Sequence, residues 1–228
     1  MKRGLFVTGT DTNVGKTFVS ALLLSAIEQS GMKAGYFKPI QTGPDDDTHE
    51  ALRLSGLPLD QAVSPAYRLA APTAPFRAAA IENTVIETDR ICRRWQELGP
   101  ASWIIEGAGG LLVPIAIRTT IRELIGDLGV PVVLVASTRL GTINHTLLSL
   151  EAAHSHGLRV AGVILVGEPD PGLADTIRGF TSVPLLTEVP RLDRVDSTSV
   201  RELAPRIFSA ATLEMLFSDI PQFPGFPR

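Results

Sequence analysis

Cysteine is nearly absent: Cys92 stands alone among 228 residues. A single thiol excludes an intramolecular disulfide and any cysteine-cluster metal site. Following Ile91 in a helical pattern, Cys92 reads as a small buried hydrophobe rather than a nucleophile. Positive charge is not in excess either. The net charge of −3 gives no general electrostatic reason to bind nucleic acid. No apolar run approaches transmembrane length, and Met-Lys-Arg-Gly enters a strand pattern without the apolar core of a signal peptide. A cytoplasmic protein is the expectation. No repeat of solenoid period is visible, and His49, His154 and His156 show no ligand spacing joined to carboxylates, so they read as surface residues.

What remains is 44% apolar and 20% charged, which suits a globular domain with a substantial core. Strand-like apolar runs at 5–8, 34–38, 103–106, 132–136, 160–166 and 183–186 alternate with helical stretches at 16–30, 48–55, 86–98, 121–128, 143–156 and 173–180. Strands of nearly continuous apolar character are covered on both faces, so the pattern predicts an α/β fold: a mostly parallel central sheet with helices on both faces. One domain is expected over residues 1–216, with a loose proline-rich tail over 217–228. The proline- and alanine-rich stretch from Leu57 to Ala80 reads as a long loop over one face.

The strongest local signal is Gly9-Thr-Asp-Thr-Asn-Val-Gly-Lys-Thr17, a complete G-x-x-x-x-G-K-T phosphate loop between an apolar strand and an amphipathic helix. Gly9 and Gly15 allow the tight backbone whose N–H groups point at phosphate oxygens. Lys16 reaches the β and γ phosphates, and the Thr17 hydroxyl is a Mg²⁺ ligand. This reads as a single-domain P-loop NTPase.

Ligands of such sheets collect at the carboxyl ends of the strands. Lys38 follows the second strand, where an ammonium can hold both a γ-phosphate and an anionic substrate group. Thr42 and Gly43 follow it. Asp45, Asp46 and Asp47 precede a helix and fit capping and metal binding equally well. Glu106 ends an apolar strand where a second Mg²⁺ ligand is wanted, and Gly107, Ala108 and Gly109 let the backbone approach phosphate or substrate. The helix opening at Gly141, Thr142 and Asn144 offers free N–H groups to a carboxylate. His145, beside them, reads as a supporting or capping residue.

Gly-Thr-Asp-Thr-Asn-Val-Gly-Lys-Thr, Phe-Lys-Pro-Ile-Gln-Thr-Gly, Glu-Gly-Ala-Gly-Gly and Arg-Leu-Gly-Thr-Ile-Asn-His, in this order from residue 4 to about 192, closely resemble the dethiobiotin synthetase family. The resemblance implies a homodimeric ligase with its active site at the subunit interface. It would use 7,8-diaminononanoate, CO₂, ATP or another nucleoside triphosphate, and Mg²⁺. By the same resemblance Asn13, Val14, Gly15, Lys16, Thr17 and Phe18 cradle the triphosphate, and Thr17, Asp47 and Glu106 hold Mg²⁺. Lys38 is the active-site lysine, with Thr12 and Lys16 completing the catalytic pocket. Thr42 and Thr73, in Pro72-Thr73-Ala74-Pro75, meet substrate. Gly141, Thr142 and Asn144 receive its carboxylate, and Pro190, Arg191 and Leu192 lie beside the base.

The departures carry expectations of their own. Asn13 stands where the family often has glutamate, Phe76 where histidine is common, and Arg139 where lysine is frequent. Val166-Gly167 stands where many members have Asn-Asp to bind adenine; a valine side chain cannot read a base edge, so looser nucleotide selectivity is expected. The alternative is a switch ATPase like the plasmid-partition and septum-site proteins, which carry an extra lysine early in the loop, where Thr10-Asp11 stands here. An amidotransferase-linked cobyrinate synthase would need a glutaminase domain and its thiol.

Overall fold

The computed structural model describes residues 1–218; the rest of the expected tail lies outside the described residues. In chain order the elements are β1 (Arg3–Gly9), α1 (Lys16–Gln29), β2 (Ala34–Phe37), β3 (Ile40–Thr42) and α2 (Asp47–Ser55). A 3-10 turn at Leu59–Gln61 precedes β4 (Ala62–Val63), β5 (Tyr67–Leu69), α3 (Pro75–Ile81), α4 (Thr88–Glu97) and β6 (Ser102–Gly110). Then come β7 (Pro114–Ala116), β8 (Thr119–Thr120), α5 (Ile121–Leu128), β9 (Val132–Ser137) and α6 (Thr142–Ser155). The last are β10 (Val160–Gly167), α7 (Leu173–Arg178), β11 (Leu185–Pro190), α8 (Ser197–Ile207) and α9 (Ala210–Leu216).

Seven strands form one parallel sheet in the order β11-β10-β9-β1-β6-β2-β4. Alternation along each strand divides the core in two. Leu5 and Val7 of β1, Ile104 of β6 and Val133 and Val135 of β9 face α1, α2, α8 and α9. Phe6, Ile105 and Leu134 face the opposite helical layer. Because β1 lies between β6 and β9, the loop leaving its end departs where the strand order reverses, the usual place for a ligand crevice.

The structure departs from the expectations in four details. The stretch from Leu57 to Ala80 is no long loop: β4 joins the sheet edge, β5 pairs with β3 through Ile40↔Tyr67 and Thr42↔Leu69, and α3 begins at Pro75. Proline suits a first helical position and the alanines behind it propagate the helix. The last strand begins at Leu185 rather than Val183, although the Pro184 carbonyl already accepts from the Val163 N–H at 2.8 Å. Helices α8 and α9 were not anticipated. Asp196 and Ser199 form a capping box that starts α8, and Pro205 inside it hides the helical pattern. Phe217, assigned to the tail, lies under the Arg3 guanidinium at 4.8 Å. Cys92 packs against the core, where burial, then Asp127 and Asp89, push its thiol up.

Candidate active site

The loop from β1 to α1 is sterically tight. A Cβ at Gly9 would stand 2.7 Å from Val14 and 2.8 Å from the Asp11 carbonyl, so only glycine fits. Gly15 adopts φ 98° and opens α1 with no side-chain cap, leaving the first N–H groups of the helix free for an anion. Lys16 lies back along the loop, its Nζ donating to the Asp11 carbonyl at 2.8 Å. Burial, opposed by Glu106 and Asp47 and aided by the Lys38 charge, brings its pKa down to about 8.

Strands β6 and β2 and helices α1 and α2 converge behind this loop. Glu106, at the end of β6, is 1% exposed, and a buried carboxylate is stable only where its oxygens are hydrogen-bonded. Its Oε1 accepts from Thr17 Oγ1 at 2.9 Å and Lys38 Nζ at 3.0 Å. Its Oε2 accepts from Ser20 Oγ at 2.8 Å and Tyr36 Oη at 3.0 Å. Burial and then the Glu106 charge push the Tyr36 phenol well above its ordinary range, so it remains a donor.

Lys38, 3% exposed, leaves β2 and uses all three ammonium donors: Asp47 Oδ2 at 2.6 Å, Glu106 Oε1 at 3.0 Å and the Gly107 carbonyl at 3.1 Å. Burial works against its charge, but attraction and hydrogen bonding from Glu106 and Asp47 prevail and raise its pKa. The three consecutive aspartates, which residue type alone leaves undivided and the resemblance resolves in favour of Asp47, divide their work here. Asp46 caps α2, accepting from the His49 N–H at 3.0 Å, and pairs with Arg68 at 2.9 Å. Asp47 turns inward to Lys38 and comes within 3.5 Å of Thr17 Oγ1. Gln41, not foreseen, ties the two segments together: its Oε1 accepts from the Asp47 N–H at 3.3 Å and its Nε2 donates to the Thr42 carbonyl at 3.2 Å.

Thr17, Lys38, Gln41, Asp47 and Glu106 border a cavity of about 670 Å³, within the range of ligand sites. Thr12, Asn13, Gly15, Lys16, Thr17 and Phe18 form one wall. Lys38, Thr42, Asp47, Glu106, Ala108, Gly109 and Pro72–Pro75 with Thr73 form the others, the last brought in by the β3–β5 pairing. Val14 is buried behind the loop, and Gly107 contributes its carbonyl from below. Gly141, Thr142 and Asn144 do not line this cavity, nor do Pro190, Arg191 and Leu192. Pro190 pairs in register with Gly167, and Val166 stands against Gly15, so this second group borders the phosphate loop on its other flank. At α6 the cap is Gly141 itself, with no side-chain cap, so His145 does not cap.

An AAA domain family model matches residues 3–199. The chain is 48% identical over 201 residues to the biotin biosynthesis bifunctional protein BioCD of Bordetella avium, a match covering 87% of this chain and 42% of that longer protein. It is 42% identical over 178 residues to the ATP-dependent dethiobiotin synthetase BioD of Leptospira interrogans, covering 78% and 80% of the two chains. Among solved structures it shares its fold with the septum site-determining protein MinD of Pyrococcus horikoshii, at a TM-score of 0.58 and 16% identity over 92% of this chain and 98% of that one. An identity of 16% carries the fold alone. The relatives that match at higher identity carry more, and with them the chain belongs to the dethiobiotin synthetase family.

Proposed function

We propose that this chain is an ATP-dependent dethiobiotin synthetase that builds the ureido ring from 7,8-diaminononanoate and CO₂. The observation that carries the reading is Lys38: a buried ammonium between Asp47 and Glu106, in one cavity with the phosphate loop on one side and Thr42 and Thr73 on the other. One substrate amine adds to CO₂ and loses a proton to give a carbamate. The carbamate oxygen attacks the γ-phosphorus, the bond to the leaving nucleoside diphosphate breaks, and a carbamic–phosphoric anhydride forms. The second amine then attacks the anhydride carbonyl and releases phosphate and a proton as the ring closes.

Transfer between two anions requires cationic groups fixed in advance. Lys38 would meet both the carbamate and the γ-phosphate, while Lys16 turns from the Asp11 carbonyl to the β and γ oxygens. The free N–H groups at the start of α1 hold the remaining charge. Thr17, Asp47 and Glu106 present only oxygen donors, two of them carboxylates, a set that fits Mg²⁺. These three residues would hold the ion, which supplies further neutralisation of the phosphate charge when bound. Thr12 completes the catalytic pocket.

At the base, Val166 offers no polar group, so selectivity rests on Pro190, Arg191 and Leu192 and is loose. Gly141, Thr142 and Asn144 receive the substrate carboxylate across a homodimer interface. Their position outside this chain's own cavity supports that assignment, as does the fully exposed Leu140 beside them. We infer one catalytic domain over residues 1–216, working in the cytoplasm; no helix among the described residues is long and apolar enough to cross a membrane.

Phosphate release should require the diamine, bicarbonate and Mg²⁺, and should proceed with ATP, CTP and GTP at rates within about tenfold of one another. Release that ignores the diamine and responds to DNA or lipid would overturn the reading.

A further inference from the structure

Glu106 is held from two directions by groups of different kinds. Thr17 and Lys38, on Oε1, line the cavity of the proposed reaction. Ser20 and Tyr36, on Oε2, line no part of the cavity and are fully buried. Their positions follow from local geometry. Thr17 and Ser20 lie three apart on α1 and therefore share one face, so the helix reaches both oxygens of one carboxylate. Tyr36 of β2 pairs in register with Ile104 of β6. Glu106, two residues further along β6, points to the same side of the sheet. The phenol thus rises beside the carboxylate from the neighbouring strand.

We propose that Tyr36 and Ser20 are positioning residues: they fix the Glu106 carboxylate so that Oε1 alone is offered to the metal and phosphate site. The proposal rests on the reading of Glu106 as a metal ligand. Without the pair, Oε2 keeps a buried charge with fewer donors. The carboxylate then rotates to share Lys38 and Thr17 between both oxygens, and its presentation to a cation is lost. Loss of partners that orient a ligating carboxylate in this way typically costs about 10- to 100-fold in metal affinity.

The test is Mn²⁺ binding to the full-length protein with a non-hydrolysable ATP analogue, followed by electron paramagnetic resonance. Tyr36→Phe keeps the ring in its buried place and removes only the hydroxyl; Ser20→Ala removes the other donor; Ile104→Val serves as a packing control on the same face. Each donor variant should weaken Mn²⁺ by about tenfold and the double variant by more, while the packing control lowers the melting temperature alone. In turnover, kcat should fall with the KM for the diamine unchanged. A Tyr36→Phe protein with the Mn²⁺ affinity of the wild type would overturn the positioning role and leave the metal reading standing. A wild-type protein that binds no Mn²⁺ with the nucleotide analogue would overturn both.

Discussion

The end of β6 and the start of α6 treat polar groups in opposite ways. At Glu106 both carboxylate oxygens have two donors each, and the neighbouring Lys38 has an acceptor for every N–H. At α6 the chain leaves β9, turns at Gly141 with φ 96° and begins the helix without a side-chain cap. There the buried hydroxyl of Thr142 has no hydrogen-bond partner among the described residues, and Leu140 is fully exposed. The first region is electrostatically complete within one chain, which is what preorganised phosphoryl transfer demands. The second leaves a hydroxyl without a partner among the described residues, at the helix start proposed to receive the substrate carboxylate. Substitutions in the first should therefore act on the chemical step and on stability together, and those in the second on substrate binding alone.

Lys38→Ala tests the first half most severely. In the proposed mechanism the ammonium is set against the transferring phosphoryl group, so on its loss turnover should fall by about 10³-fold. Glu106 then keeps a buried charge without its ion-pair partner, a loss of about 3 kcal/mol that denaturant unfolding would register. Turnover within threefold of the wild type would remove Lys38 from the mechanism.

Lys16 offers a subtler probe of the same region. Its pKa drops from 10.5 to about 8 on folding. Between those values the unfolded chain holds the proton and the folded one does not, so stability rises with pH across that window and is lost again as pH falls through 8. The full difference is about 3 kcal/mol. Lys38, whose pKa is raised, acts only above 10.5, where it loses stability, and so leaves the window to Lys16. Lys16→Met lacks the ionisation. Its stability advantage over the wild type should shrink from about pH 7.5 to about pH 10. Parallel unfolding curves at both pH values would refute the burial of a strained charge at Lys16.

The contrast between the two regions was half legible in the sequence. The phosphate loop, Lys38 and Glu106 announce themselves because each follows an apolar run that could only be a buried strand. Ser20 and Tyr36 do not, since a serine inside a helix of leucines and a tyrosine beside Phe37 both read as packing. The signal that finds Ser20 is its spacing of three from Thr17. Gln41, and the placement of Thr73 that the resemblance named, depend on the β3–β5 pairing, a contact between short strands far apart in the chain that no local periodicity encodes. The run of three aspartates illustrates the same limit: the residue types alone leave them equivalent, the family resemblance singles out Asp47, and the direction of α2 supplies the reason by separating Asp46, the cap, from Asp47, the inward carboxylate.

The smallest effect belongs to the incomplete region and is the sharpest test of it. Thr142→Val replaces a buried hydroxyl without a partner among the described residues by a methyl of nearly the same size. Removing an unsatisfied polar group is neutral or stabilising, so the melting temperature should hold or rise, unlike that of any substitution near Glu106. If the hydroxyl is there for the substrate carboxylate, the KM for the diamine should rise about tenfold, the loss of one hydrogen bond to a charged group. kcat and the affinity for nucleotide should stay as they are. A fall in kcat with the KM unchanged would place Thr142 with the phosphate end and erase the distinction between the two regions.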